Sequence, residues 1–162
     1  MTWRFYVVLV YMVLEPQKVT MNVTMSPASY LISNDKDKLD IDLIHQYLSA
    51  VSYWAKGRNL AQVKTTLEAS ICFGVYLGEK QVGFARVLSD KVTLAYLADV
   101  FILPEHQGQG LGKRLIRTVL EHEDFQTVSW LLKTKDAQEL YKKFGFEILE
   151  SPNRFMVRAK AV

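Results

Sequence analysis

The chain has a single cysteine, Cys72, so no disulfide can form within it and the fold must be held by packing alone. That usage suits a reducing compartment and points to the cytoplasm. Histidine is also scarce: His45, His106 and His122 lie far apart, and no Cys-x-x-Cys or His-Glu-x-x-His spacing occurs. No metal cofactor is therefore expected. Long apolar runs are missing too. The longest, WRFYVVLVYMVL at 3–14, falls short of the roughly 20 apolar residues that cross a bilayer, so stable membrane insertion is not expected. Its basic region is thin, with Arg4 near the start, and no convincing small-x-small site precedes Pro27, so a secretion signal is not expected. Residues 1–28 are read as an apolar N-terminal extension, a strand or arm that could pair with a second copy to make a homodimer. Concentrated charge of one sign is absent as well. The 20 basic residues nearly balance the 17 acidic ones and are dispersed, which argues against nucleic acid and fits a small anionic ligand.

What is present is a regular alternation of elements without repeats or low-complexity linkers, and 29–162 read as one domain. SYLIS at 29–33 is a short strand. In 37–51, Leu39, Leu43, Ile44, Tyr47, Leu48 and Val51 share one helical face, and 59–70 form a second helix. Three β-rich runs follow at 71–77, 81–89 and 92–103. They are joined by Gly78-Glu79-Lys80 and Ser89-Asp90-Lys91, turn chemistry that links antiparallel strands. A helix from Leu111 then presents Leu111, Leu115, Ile116, Val119 and Leu120 to a core. A strand at 127–133, a helix at 136–144 and a closing strand at 154–160 complete the order. The expected fold is a single mixed α/β domain in which 92–133 form a parallel β-α-β unit.

The stretch PEHQGQGLGKRL, 104–115, carries the chemistry. Glycines let a main chain turn sharply and approach a ligand closely, and the loop opens into a helix whose first N–H groups attract an anion. Two familiar phosphate loops fail on spacing. A Walker A loop needs glycine where Gln107 stands and Ser or Thr where Arg114 stands, and the dinucleotide fingerprint needs glycine at Lys113. A tight strand-to-helix connection without a ligand is the plainer reading of the same residues.

ILPEHQGQGLG, 102–112, resembles the acyl-CoA-binding signature of the GNAT N-acetyltransferase superfamily, with Gln107, Gly110 and Gly112 in its defining places. TKDAQELYKKFGF, 134–146, resembles the family's later Tyr-x-x-x-Gly-Phe phrase, with Thr134 where the family often has Asn. The resemblance implies a central, mostly antiparallel mixed sheet flanked by helices. It implies acetyl transfer from acetyl-CoA, as co-substrate, to an amine acceptor in a ternary complex. The main chain of Gln107, Gly108, Gln109, Gly110, Leu111, Gly112 and Lys113 would hold the pyrophosphate. Val100, Phe101 and Ile102 would bond the pantetheine arm, with Thr134 as a further contact. Tyr141 matches the usual general acid; its alternative is packing with Leu140 and Phe144.

Other roles rest on chemistry alone. Asp99 is the single residue charged at neutral pH in LAYLADVFIL, 94–103, so it is either paired, with Arg86 for example, or used as the base. Tyr53, Trp54 and Arg58, between the first two helices, are candidates for the acceptor pocket, Arg58 for an acid group; the aromatics could equally be a buried hinge. Cys72 sits in a core strand and reads as a small hydrophobe. The alternative functions are a non-catalytic acyl-CoA-binding module and an acyltransferase for a different acyl-CoA.

Overall fold

The computed structural model describes residues 29–158, so the expected N-terminal strand at 3–14 lies outside the described residues. Tyr30–Ser33 (β1), Ile71–Leu77 (β2), Lys80–Ser89 (β3), Leu94–Ile102 (β4) and Ser129–Leu132 (β5) form one five-stranded sheet in sequence order. Its neighbours are antiparallel until the last pair, β4 and β5, which run parallel across a helical crossover. This is the single mixed α/β domain expected from the pattern.

β2 and β3 are buried at successive residues, Cys72 to Tyr76 and Gln81 to Val87, so both faces of the sheet are covered at its centre. One cover is Leu111–Leu120 (α3), which turns Leu111, Leu115, Ile116 and Val119 inward and leaves Lys113, Arg114 and Arg117 in solvent. Each such buried side chain contributes about 2 kcal/mol. Ile41–Gln46 (α1) and Leu60–Glu68 (α2) supply Ile44, Val63 and Leu67. Asp40 caps α1 through Leu43 N–H, and Asn59 and Gln62 form a reciprocal capping box at the start of α2. Gln138–Lys142 (α4) is short and buries Tyr141.

Two expectations are corrected. The single helix over 37–51 is broken into a 3₁₀ turn at Lys36–Lys38, α1, and a widened π turn at Tyr47–Val51. The widening is local: Ser52 N–H reaches back five residues to Tyr47 C=O at 2.9 Å, and the hydroxyls of Ser49 and Ser52 bond the carbonyls four residues before them. The closing strand expected at 154–160 is not a strand over its described part. Pro152 lacks a donor and opens a 3₁₀ turn to Arg154, and Phe155, Met156 and Val157 then run exposed beyond the sheet. Residues 159 and 160 lie outside the described residues. Among the described residues no helix is long and apolar enough to cross a membrane.

Candidate active site

The site begins at an irregularity in β4. Phe84 faces Phe101 and Arg86 faces Ala98 across the β3–β4 ladder, so Asp99 and Val100 together stand opposite Ala85. This is a β-bulge, and Asp99 takes left-handed backbone within it, with φ of 52°. β4 pairs with β5 over Leu94 to Leu97, and β5 ends at Leu132, so the strands part where the bulge begins. A cavity of about 510 Å³ fills the gap, lined by Asp99 and Val100 on one side and by Leu132 to Ala137 and Tyr141 on the other.

Asp99 is the electrostatic centre of this cleft. Its Oδ2 accepts from Arg58 Nη1 and from Arg86 Nε, each at 2.8 Å, and its Oδ1 accepts from the Trp54 indole at 3.1 Å. Its side chain is 2% exposed and Arg86's is 8%, so this is a desolvated charge pair; Arg58, at 22%, reaches the cavity. Arg86 also donates from Nη1 to Ser70 Oγ at 3.0 Å. The pairing with Arg86 that the sequence allowed is therefore present, joined by a second arginine. The carboxylate holds three donors and anchors both the bulge and Arg58.

The segment that presents Arg58 is built locally. Ser52 Oγ accepts from Ala55 N–H, Arg58 N–H bonds Ala55 C=O, and Gly57 takes φ of 77° while its N–H reaches Ser49 C=O. Tyr53 and Trp54 are half-exposed and meet edge to face at 5.0 Å; they line the cavity and are not a buried hinge. The Tyr53 hydroxyl accepts from Lys135 N–H at 3.0 Å and faces Asp136 Oδ1 at 3.4 Å, tying this segment to the β5–α4 connection across the cavity.

At the far end of β4 the glycine loop turns over. Gly108 and Gly110 have φ of 76° and 77°, and a Cβ placed at either, or at Gly112, would meet nothing within 4 Å. The first helical bond runs from Arg114 N–H to Gly110 C=O at 3.1 Å, so the N–H groups of Leu111, Gly112 and Lys113 have no intrahelical acceptor. Open space above uncommitted amides at the positive end of a ten-residue helix is a fit for a diphosphate. Leu111 itself is core and offers only its main chain. The Gln107 side chain donates to Ile102 C=O at 2.8 Å, pinning the loop to β4. Phe101 is buried, stacked on Tyr47 at 3.9 Å, and Ile102 is buried too, so beyond Val100 the side chains of β4 belong to the core and not to the cleft lining.

Tyr141 is 8% exposed, packs edge to face on Phe146 at 5.7 Å and lines the cavity, so it is core and site at once. Burial first, then the nearby Tyr53 and Asp136, pushes its phenol up from 10 to about 12. Thr134 accepts from Ala137 N–H at 3.1 Å, which secures the start of α4 and leaves its hydroxyl proton to be given elsewhere. A larger hollow of about 650 Å³ lies on the other flank of β5 and shares Leu132, Lys133, Thr134 and Tyr141. It touches neither the bulge nor Arg58, both of which border the smaller cleft.

The structure thus gathers Tyr53, Trp54, Arg58, Asp99, Val100, Thr134 and Tyr141 around one cavity. The residues of 107–113 form a separate station on the loop. One fastening was not foreseen: the Tyr30 hydroxyl lies 2.9 Å from His106 Nδ1 and donates to Gln109 Oε1 at 3.2 Å, while Arg114 Nη2 holds Tyr30 C=O. His106 is thereby engaged and half-buried. No local pattern signals a contact between residues 76 apart. Cys72 is buried, and burial pushes its thiol up to about 11, as suits an inert core residue.

Comparison with known proteins agrees with this geometry. The family model described as the acetyltransferase (GNAT) domain matches residues 68–148. The uncharacterized N-acetyltransferase ycf52 of Gracilaria tenuistipitata var. liui is 33% identical over 82% of this chain and 71% of its own length. FG08082 of Gibberella zeae is 35% identical over 57% of this chain, which spans 63%, under two thirds, of that relative's length in the match. A solved structure from Xanthomonas campestris pv. campestris, described as belonging to the GNAT family, superposes with a TM-score of 0.80. It is 44% identical over 82% of this chain and 94% of that one. The bulged, parting strands, the glycine loop and these likenesses lead to one assignment: the chain belongs to the GNAT family of acetyltransferases.

Proposed function

We propose that the protein is an N-acetyltransferase that moves the acetyl group of acetyl-CoA directly onto a primary amine in a ternary complex. The observation that carries the reading is the cleft opened at Asp99 and Val100, with Tyr141 on its opposite wall and the glycine loop beyond Ile102. Acetyl-CoA supplies the activated thioester.

Each of the chain's residues has a physical task. The amides of 108–113 bind the diphosphate at the helix N-terminus. The main chain of Val100 to Ile102 lies along the pantetheine arm and offers an N–H to the carbonyl oxygen as negative charge develops there. The amine nitrogen forms a bond to the acetyl carbon as the C–S bond breaks, and Tyr141 gives its proton to the departing sulfur. The proton lost from the amine passes to solvent, and Tyr141 regains its own from solvent. Asp99 takes no part in proton transfer, because its oxygens are held by Arg58, Arg86 and Trp54. The cleft helps instead through its charge: Arg58, Arg86, Lys133 and Lys135 line it against Asp99 and Asp136, and surplus positive charge favours the neutral form of an incoming amine.

Calorimetric titration with acetyl-CoA and with free CoA tests the reading. Micromolar binding of both, followed by amine-dependent thiol release, is expected. Absence of binding at millimolar ligand overturns it.

A further inference from the structure

We propose that the acceptor is an amine that also carries a carboxylate, and that Arg58 is the residue that recognises it. The inference rests on the N-acetyltransferase reading and names the substrate class for the same cleft.

The reason lies in an imbalance of charge. A buried carboxylate needs one cation, and Asp99 has one in Arg86, which is nearly as buried and is further satisfied by Ser70. Arg58 is a second cation on the same oxygen, and neutrality does not require it. It uses Nη1 alone for Asp99; among the described residues its Nε and Nη2 have no partner. Those two donors form one edge of the planar guanidinium, the fork that grips a carboxylate through two parallel hydrogen bonds. Asp99 fixes the plane of that fork, and the internal bonds of 52–58 fix its approach.

The diphosphate does not account for this cation. The glycine loop has its own amides, and Asp99 to Ile102 already places about 10 Å of extended strand between the two stations. Lys133 and Lys135 also border the cleft, and Asp136 is engaged by Tyr53. A polyamine would enter against this surplus of positive charge. An amino carboxylate enters with it, and the exposed faces of Tyr53 and Trp54 suit an aromatic or aliphatic side chain beside the carboxylate.

Matched amines that differ only in the anion provide the test. Glycyl-phenylalanine is compared with its C-terminal amide, and phenylalanine with phenethylamine. ω-Amino carboxylates from glycine to 6-aminohexanoate are compared with n-alkylamines of equal length. The carboxylate partner should have a kcat/KM at least roughly tenfold higher, the loss expected when a charged hydrogen-bond partner is removed. In Arg58→Met that ratio should fall towards one while acetyl-CoA affinity is retained; Arg58→Lys, with charge but no fork, should fall between. Equal or better use of the uncharged partners by the wild type overturns the inference, as does a ratio unchanged in Arg58→Met. Should none of these amines turn over, binding of N-acetylphenylalanine and N-acetylphenethylamine to the CoA complex decides. Preference for the former, lost in Arg58→Met, supports the inference, and equal or no binding of the two refutes it. Failure of acetyl-CoA itself to bind marks the separate failure of the transferase reading.

Discussion

Tyr141 is asked to be a core residue and a proton donor together, and its environment shows how both can hold. Burial destabilises the phenolate, so the phenol, pushed up to about 12, keeps its proton through the whole physiological range. A group raised in this way loses its proton only as pH climbs past the raised value. The turnover rate should therefore climb with pH as the amine deprotonates and show no falling limb below about pH 11. A fall near pH 8 to 9 that disappears in Tyr141→Phe would assign Tyr141 a far lower pKa and refute this account. Tyr141→Phe keeps the contact with Phe146 and should lower kcat roughly 10²-fold with acetyl-CoA affinity nearly unchanged. Turnover equal to wild type would return Tyr141 to packing alone. Asp99 separates the same two roles differently. Asp99→Ala leaves Arg86 buried with no countercharge and should destabilise the protein by roughly 3 kcal/mol, read as a lower midpoint in denaturant. A general base would behave otherwise: its removal would cost rate and leave stability close to wild type.

The loop and the bulge are the two elements that make a site out of a sheet, and they were unequally legible in the sequence. The loop could be found because its function needs residue types at set places. Gly108 and Gly110 take left-handed backbone, and the open space above them would be closed by side chains. Gly110→Asp tests this at the scale of the element. Asp tolerates the left-handed region better than most residues, so the fold should survive at a cost near 1 kcal/mol, while acetyl-CoA binding should be lost to charge repulsion at the diphosphate. Retained affinity would move the ligand away from the loop. The bulge was not legible, because LAYLADVF reads as an ordinary strand with one odd carboxylate. Its shape depends on Arg86 from β3 and on Arg58 and Trp54 from the segment before α2, which no window along β4 contains. The π turn at 47–51 has the same origin, in serine hydroxyls competing for helical carbonyls within a pattern that still looks helical. The closing strand failed for a related reason: the consecutive apolar residues Phe155, Met156 and Val157 have the composition of a strand, but among the described residues they join no sheet.

At the scale of the whole molecule, the cleft divides a well-packed body from a lighter flank. The body, β1 to β4 with α1 to α3, holds nearly all of the buried side chains, whereas β5 has none and α4 contributes Tyr141. The flank is joined to the body by the four-residue ladder from Leu94 to Leu97 and by Tyr53 reaching to Lys135. Segments with few buried contacts open at lower free energy than the core, so the amides of 129–142 should exchange hydrogen faster than those of β2 and β3. A ligand lying in the cleft touches both sides and must be released before they can separate. At a hundredfold excess over Kd it adds about 2.7 kcal/mol against any opening that destroys the site. Free CoA should therefore slow exchange in 129–142. Adenosine 3′-phosphate 5′-diphosphate, which keeps the diphosphate and lacks the pantetheine arm, should slow exchange around 107–113 and leave the opening of β5 and α4 at its free rate. If CoA protects the loop and leaves 129–142 unchanged, the pantetheine arm does not lie between β4 and β5, and the reactive centre must be sought outside the cleft at Asp99.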